Sequence, residues 1–141
     1  MSTISETALE YQVVSCSSED SGHGAARLSQ QEHHGPGWSS APQCAYPQDV
    51  TLALRHPSRL TSLQLLSHEA RVAAKVEIQV AQAAGAAWER LGYFAFDSNE
   101  RSGFRAREMK RVSLPARTEP VQAVRLVFHR CHANAQNPDR Q

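Results

Sequence analysis

The 141-residue sequence predicts an all-β sandwich of the jelly-roll type, with long loops at one end. Three observations carry that reading. Several short runs alternate apolar and polar residues with the two-residue period of a half-buried strand. Clusters of Gly, Pro, Asn, Asp and Ser separate those runs at turn-forming positions. No strand is followed by a long amphipathic helix, so the rhythm of a parallel sheet is missing. The chain is 40% hydrophobic and 21% charged, the balance of an ordinary globular domain. Its length is enough to bury a core without disulfides or a structural metal.

Residues 1–10 are read as a flexible N-terminal tail and 11–141 as the sandwich domain. "YQVVSC" (11–16) is short and β-prone, a first strand. Residues 17–45 are rich in Ser, Gly, Pro and His, hold no hydrophobic period, and form a long irregular connection anchored by Trp38. "QDVTLAL" (48–54) sets Val50, Leu52 and Leu54 on one face, and "HPS" (56–58) is a turn signal. "RLTSLQLLS" (59–67) sets Leu63 and Leu65 on one face and Leu66 on the other. "AKVEIQV" (74–80) alternates without a break: Val76, Ile78 and Val80 face the core, and Lys75, Glu77 and Gln79 face water. The alanines of "AQAAGAAWERLG" (81–92) favour a helical turn, which Gly85 keeps short. "LGYFAF" (91–96) is an aromatic strand, "DSNERSG" (97–103) a turn, "KRVSLP" (110–115) a weaker strand and "PARTEP" (115–120) another turn. "VQAVRLVFHR" (121–130) sets Val124, Leu126 and Phe128 on one face and Val127 on the other. The expected core is the set where alternation and apolar identity agree: the inward residues just named, with Phe94.

Composition and motifs exclude several function classes. No apolar run approaches the roughly 20 residues that span a bilayer, and the N-terminus lacks the basic and apolar regions of a secretory signal. Cys16, Cys44 and Cys131 are odd in number and widely spaced, which favours reduced thiols in the cytosol. "FHRCH" places His129, Cys131 and His132 close together, with Cys44 or His68 as partners in space. Zinc sites normally join two close ligand pairs, and the chain has no C-x-x-C, so a satisfied strand-end cluster is expected instead of a metal. "HH" at 33–34 reads as solvated loop. No nucleophile elbow, zinc-protease helix, phosphate-binding glycine loop or carboxylate pair is present. The chain is expected to be no enzyme and to need no cofactor.

Positive charge is concentrated in one place. From Glu100 to Arg117 six basic residues meet two acids, in a chain whose net charge is +1. Arg101, Arg105, Arg107, Lys110 and Arg111 are the candidate partner-binding residues. Two readings fit them. One is a solvated strand edge whose charges discourage aggregation. The other is an electropositive patch that captures an acidic partner. Only Phe104 interleaves an aromatic ring, so stacking on single-stranded nucleic acid is not indicated and a protein partner is the better fit.

Four stretches in order carry a resemblance: the entry with Gly37, Trp38, Pro42, Cys44, Pro47 and Gln48; "LQLLSH" from Leu63 to His68; Leu91 to Lys110; and a last stretch with Leu126, Phe128, His129, His132 and Asn134. Together they resemble the N-terminal jelly-roll domain of the centrosomal protein of 104 kDa family, ciliary-tip and flagellar-associated proteins, over about residues 11–137. The resemblance implies a galactose-binding-like β-sandwich used for protein interaction at ciliary, axonemal or centriolar microtubules. It implies microtubule-associated or ciliary protein partners, with tubulin among the candidates, and neither nucleic acid nor membrane. Longer relatives carry a coiled coil, a tubulin-binding domain and zinc fingers, none of which is in this sequence, and no Ser-x-Ile-Pro end-binding motif occurs in it.

The resemblance also implies an apolar strand after the segment that ends in "AQNPDRQ". The sandwich is therefore expected to lack its last strand here, to leave 121–130 with an open edge, and to invite strand complementation by another chain. The alternative function is a carbohydrate-binding module, for which the loops offer Trp38, Tyr46 and Asn99 but no calcium-like acidic cluster.

Overall fold

The computed structural model describes residues 8–29, 37–83 and 85–141. Among these residues seven strands form in the order β1 (Tyr11–Cys16), β2 (Gln48–Ser58), β3 (Ser62–Leu66), β4 (Ala73–Ala81), β5 (Glu89–Phe94), β6 (Met109–Ser113) and β7 (Val121–Cys131). Five of them make one antiparallel sheet in the order β1-β2-β7-β4-β5, and β3 and β6 make a second. This is the jelly-roll sandwich that the alternation predicts.

Register explains why the alternating residues meet. Across β2, β7 and β4, Val50 stands opposite Leu126 and Leu126 opposite Ile78; the next row is Leu52, Val124 and Val80. Antiparallel partners point to the same side of a sheet, so these rows make one continuous apolar face. Leu54, Val76, Ile78, Val80, Val121, Val124 and Leu126 form its buried cluster, and Leu52, Leu63, Leu65, Phe94 and Phe128 pack on it half-buried. Val121, Val72 and Phe96 join the buried interior although they lie at strand ends or beyond them. Phe96 meets Phe94 edge-on, with ring centroids 5.6 Å apart.

Four expectations need correction. The segment 121–130 has no open edge, because β7 is the middle strand of the large sheet, paired with β2 on one side and β4 on the other. "HPS" does not end the second strand, which runs on to Ser58. Pro57 falls between Ala53 and Ser58, where the ladder to β7 is interrupted, so no ladder bond needs the N–H that proline lacks. Among its described residues the alanine-rich stretch forms no helical turn; the Ala86 N–H donates to the Ala83 carbonyl (3.1 Å), closing a tight turn with Gly85 at φ +79°. Finally, the outer face of β4 is not uniformly wet. Glu77 is 8% exposed, because His129 of the neighbouring β7 and Gln79, two residues along β4 itself, cover its carboxylate.

The N-terminal tail expected over 1–10 lies outside the described residues as far as residue 7. Leu9 packs on the core and Glu10 pairs with Arg55 at 2.6 Å.

Candidate binding surface

The basic segment is built on a well-tied turn. Asn99 sits in the left-handed region at φ 67°. Its side-chain amide donates to the carbonyls of Glu69 (2.8 Å) and Ala106 (2.6 Å), and its Oδ1 accepts from the Ser102 hydroxyl. The Asp97 carboxylate accepts the Asn99 N–H at 2.7 Å, an Asx-type closure. Arg101 and Arg105 stand exposed on this turn. Arg107 turns back toward the end of β3, where its Nε donates to the Ser67 carbonyl at 2.8 Å with Glu69 at 3.9 Å.

Lys110 and Arg111 are adjacent on β6, and strand alternation sends them to opposite faces. Lys110 stands opposite Leu65, and Arg111 opposite the exposed Gln64. Lys110 also pairs with Glu108 at 2.9 Å. Burial alone would raise the Glu108 carboxyl, but the Asp97 N–H and the Lys110 ammonium hold it below its ordinary value. The five candidate residues are thus divided between the turn, the end of β3 and the two faces of β6.

Four of the residues weighed for a metal are engaged elsewhere, and the fifth, Cys131, is a free, half-buried thiol at the end of β7. His129 Nε2 lies 2.9 Å from the Glu77 carboxylate, and His132 Nε2 lies 2.7 Å from the Phe96 carbonyl. The Cys44 thiol faces the Ser40 hydroxyl at 3.4 Å. His68 Nδ1 accepts the N–H groups of Ala70 (3.0 Å) and Arg71 (3.1 Å). His33 and His34 lie outside the described residues. Among the loop residues considered for sugar, the Trp38 ring lies 5.1 Å from Phe128 and its indole N–H donates to the Ser18 carbonyl (2.9 Å). The Tyr46 hydroxyl donates to the Arg140 carbonyl at 2.8 Å, and the Asn99 amide closes its own turn. None of the three offers an unobstructed ring platform with an unused amide beside it.

A groove of about 930 Å³ between the two sheets was not foreseen. Its floor is the inner face of β2 and β7, with Leu52, Leu54, Leu126 and Phe128. Its side wall is the whole of β3. Arg27, Arg59, Arg71, Arg107 and Arg130 also line it, and no Asp or Glu does among the described residues. Behind this lining Arg71 is paired with Asp20 at 3.3 Å. Gln141 closes one end, its amide donating to the Ser40 carbonyl at 2.9 Å. The signal for the groove in the sequence is thin: its five arginines come from five separate segments, and only folding gathers them.

Comparison with known proteins follows the same lines. The profile of the family described as "Centrosomal protein CEP104, N-terminal domain" matches residues 37–141. Centrosomal protein of 104 kDa from Mus musculus is 33% identical over 133 residues, 89% of this chain and 14% of that protein. The Homo sapiens protein is 32% identical over the same span. The chain therefore spans about one-seventh of the length of these curated relatives. Among solved structures, reduced XRCC1 bound to the catalytic domain of DNA polymerase beta superimposes with a TM-score of 0.70 at 26% identity, covering 86% of this chain and 85% of that one. The family 32 carbohydrate-binding module of C. perfringens NanJ, solved with galactose, gives 0.66 at 14% identity over 86% and 84%. At that identity the likeness is one of fold.

Proposed function

The chain belongs to the family of the centrosomal protein CEP104 N-terminal domain, and from that premise we propose that it is a non-catalytic protein-interaction module acting at ciliary and centriolar microtubules. The observation that carries the proposal is the family match over residues 37–141, on a jelly-roll sandwich. A second observation supports it: the XRCC1 structure, 26% identical, has this fold in complex with another protein. The partners are microtubule-associated or ciliary proteins, with tubulin as a candidate for direct contact, and residues 11–141 are the interacting unit. Exposed Arg101 and Arg105 favour an acidic partner surface, as such charges steer association. The likeness to carbohydrate-binding modules rests on the fold alone and brings no glycan to this chain.

The test is a fluorescently tagged chain expressed in ciliated cells, imaged with markers for centrioles and axonemes. Enrichment at either structure is expected. A uniform cytosolic signal, from protein that is folded by circular dichroism, would sink the proposal.

A further inference from the structure

The large sheet has an outer face, turned away from the core, and its register places the residues there in rows. Thr51, Arg125, Gln79 and Arg90 stand side by side across β2, β7, β4 and β5, and the next row is Asp49, Val127, Glu77 and Tyr93. Antiparallel partners share a side of the sheet, and these rows alternate with the buried ones through Val50 and Leu52. The middle of the face is low. Ala53 stands opposite Ala123, and both, with Val127, are half-buried.

Two aromatic rings at this face hold cations. The Arg125 guanidinium carbon lies 4.4 Å from the centre of the Trp88 ring. Lys75 Nζ lies 4.5 Å from the centre of the Tyr93 ring, and the Arg90 guanidinium 5.2 Å from it. Arg90 also donates to the Tyr93 hydroxyl at 2.6 Å, and Arg125 Nε donates to Gln79 Oε1 at 2.7 Å. Tyr93 is still 45% exposed. The nearby carboxylates are taken: Glu77 faces His129 at 2.9 Å, and Glu89 pairs with Arg117. Among the described residues no carboxylate forms an ion pair with Lys75, Arg90 or Arg125. A cation held against a ring has given up part of its hydration and rotamer freedom before a partner arrives, so pairing it costs less. Trp, Tyr and Arg are also the residues that carry most of the binding energy at protein interfaces.

We propose that this face docks an acidic amphipathic helix of a partner protein, with its apolar stripe over Tyr93 and Val127 and its carboxylates on Lys75, Arg90 and Arg125. No strand can add in the middle of the face, because β7 and β4 are bonded on both edges and present side chains only. A helix is the element that covers an open sheet face as a further layer. Neighbouring strands lie about 4.8 Å apart, so Arg125 and Arg90, two strands apart, are separated by about 10 Å. Glutamates two turns apart on a helix have a spacing of about 11 Å. A second copy of the chain, paired about a two-fold axis, would set these cations against themselves. Single-stranded nucleic acid would need ring faces that the cations occupy, and any phosphate backbone would meet Asp49 and Glu77. This inference rests on the reading of the chain as an interaction module and names the chemistry of its partner.

The experiment uses the 141-residue chain, checked for fold by circular dichroism, and a fluorescein-labelled helical peptide, EELAELLEELAELLEE. Binding is read by anisotropy, and amide shifts are followed by NMR. Saturable binding is expected, with the largest shifts at Lys75, Arg90, Tyr93 and Arg125. The peptide with lysine in place of every glutamate should bind on the order of tenfold more weakly at low salt. The double variant Arg90→Glu, Arg125→Glu should reverse that preference, and its capture of the lysine peptide would show that it is folded. Tyr93→Ala should weaken binding by about tenfold with no change of charge, and Tyr93→Phe, which keeps the ring, should restore most of it. Equal binding by Tyr93→Ala and wild type would overturn the proposal, since the ring would then contribute nothing. Largest shifts away from β4, β5 and β7 would overturn it too. Displacement of the peptide by duplex DNA would give the face to nucleic acid and overturn it as well. So would the same shifts appearing without peptide as the protein concentration rises, because a second copy would then be the occupant. Failure of peptide binding while the tagged chain still concentrates at cilia or centrioles would remove this inference and leave the proposed function standing.

Discussion

In the large sheet Val76, Ile78, Val80 and Val124 are between 0% and 2% exposed. In the small sheet Leu63, Leu65 and Val112 are only half-buried, and Met109 is 44% exposed. The residue types on the two sheets are alike, so the difference is one of position. A strand such as β7 is covered on both edges by β2 and β4 and on its inner face by the opposing layer. Among the described residues a strand such as β3 has one neighbour and borders the groove. What a Val or Leu contributes in a sheet is set by its neighbours more than by its own preference for extended backbone. The tightly packed part of the core therefore lies on the large sheet.

The contrast predicts unequal costs for the same kind of substitution. Ile78→Ala or Leu126→Ala should destabilise by about 2–5 kcal/mol, the range for truncating a well-packed core residue. Leu65→Ala should cost about 1–2 kcal/mol, because part of its surface is already in water. Urea unfolding with a shared slope would compare them. If Leu65→Ala cost as much as Ile78→Ala, the two sheets would share one tight core and the contrast would be lost.

Acid should separate the two sheets next. His68, just beyond β3, must keep Nδ1 unprotonated to accept two backbone N–H groups. Burial holds its imidazole below the ordinary 6.5, with Arg71, Arg107 and His23 in the same direction and Glu69 opposing. A base whose folded value is depressed takes up protons more readily when unfolded. Its contribution to stability is therefore complete above pH 6.5 and is lost as the pH falls from there toward the folded value. Glu77, on the large sheet, is held below its ordinary 4.5 by the Gln79 amide and then by His129. Its contribution is present above pH 4.5 and is lost as the pH falls through the lower folded value. Amide exchange should thus loosen around residues 67–71 in the first window and around β4 only in the second. His68→Asn keeps an acceptor without a titrating ring and should remove the first step. Simultaneous loosening of both regions would show that they unfold as one unit.

How much of this was legible in the sequence follows from the same physics. Alternation reports which side of a strand a residue faces, and Val76, Ile78 and Val80 fall where their period puts them. It does not report which strand lies beside which. The middle position of β7, between β2 and β4, which both come earlier in the chain, is a property of long-range pairing, and alternation alone cannot tell such a strand from one at an edge. The burial of Glu77 depends on His129, 52 residues away, and the groove depends on arginines from five segments. The basic run was visible as composition, but the opposite faces of Lys110 and Arg111 come from the β6 register.

The smallest effect on stability is expected at the turn. Arg101 and Arg105 are exposed, unlike Arg107, which donates to the Ser67 carbonyl. Reversing both as Arg101→Glu, Arg105→Glu should change the unfolding free energy by no more than about 0.5 kcal/mol. Its effect on binding should be larger and should depend on salt. Exposed charges act over about 8 Å at physiological ionic strength and over longer distances in dilute buffer. Co-sedimentation with microtubules, run at low and at high salt, reads this out. The variant should sediment less at low salt, and the gap from wild type should narrow as salt is raised. Equal sedimentation of wild type and the turn variant at low salt would take the turn out of the mechanism.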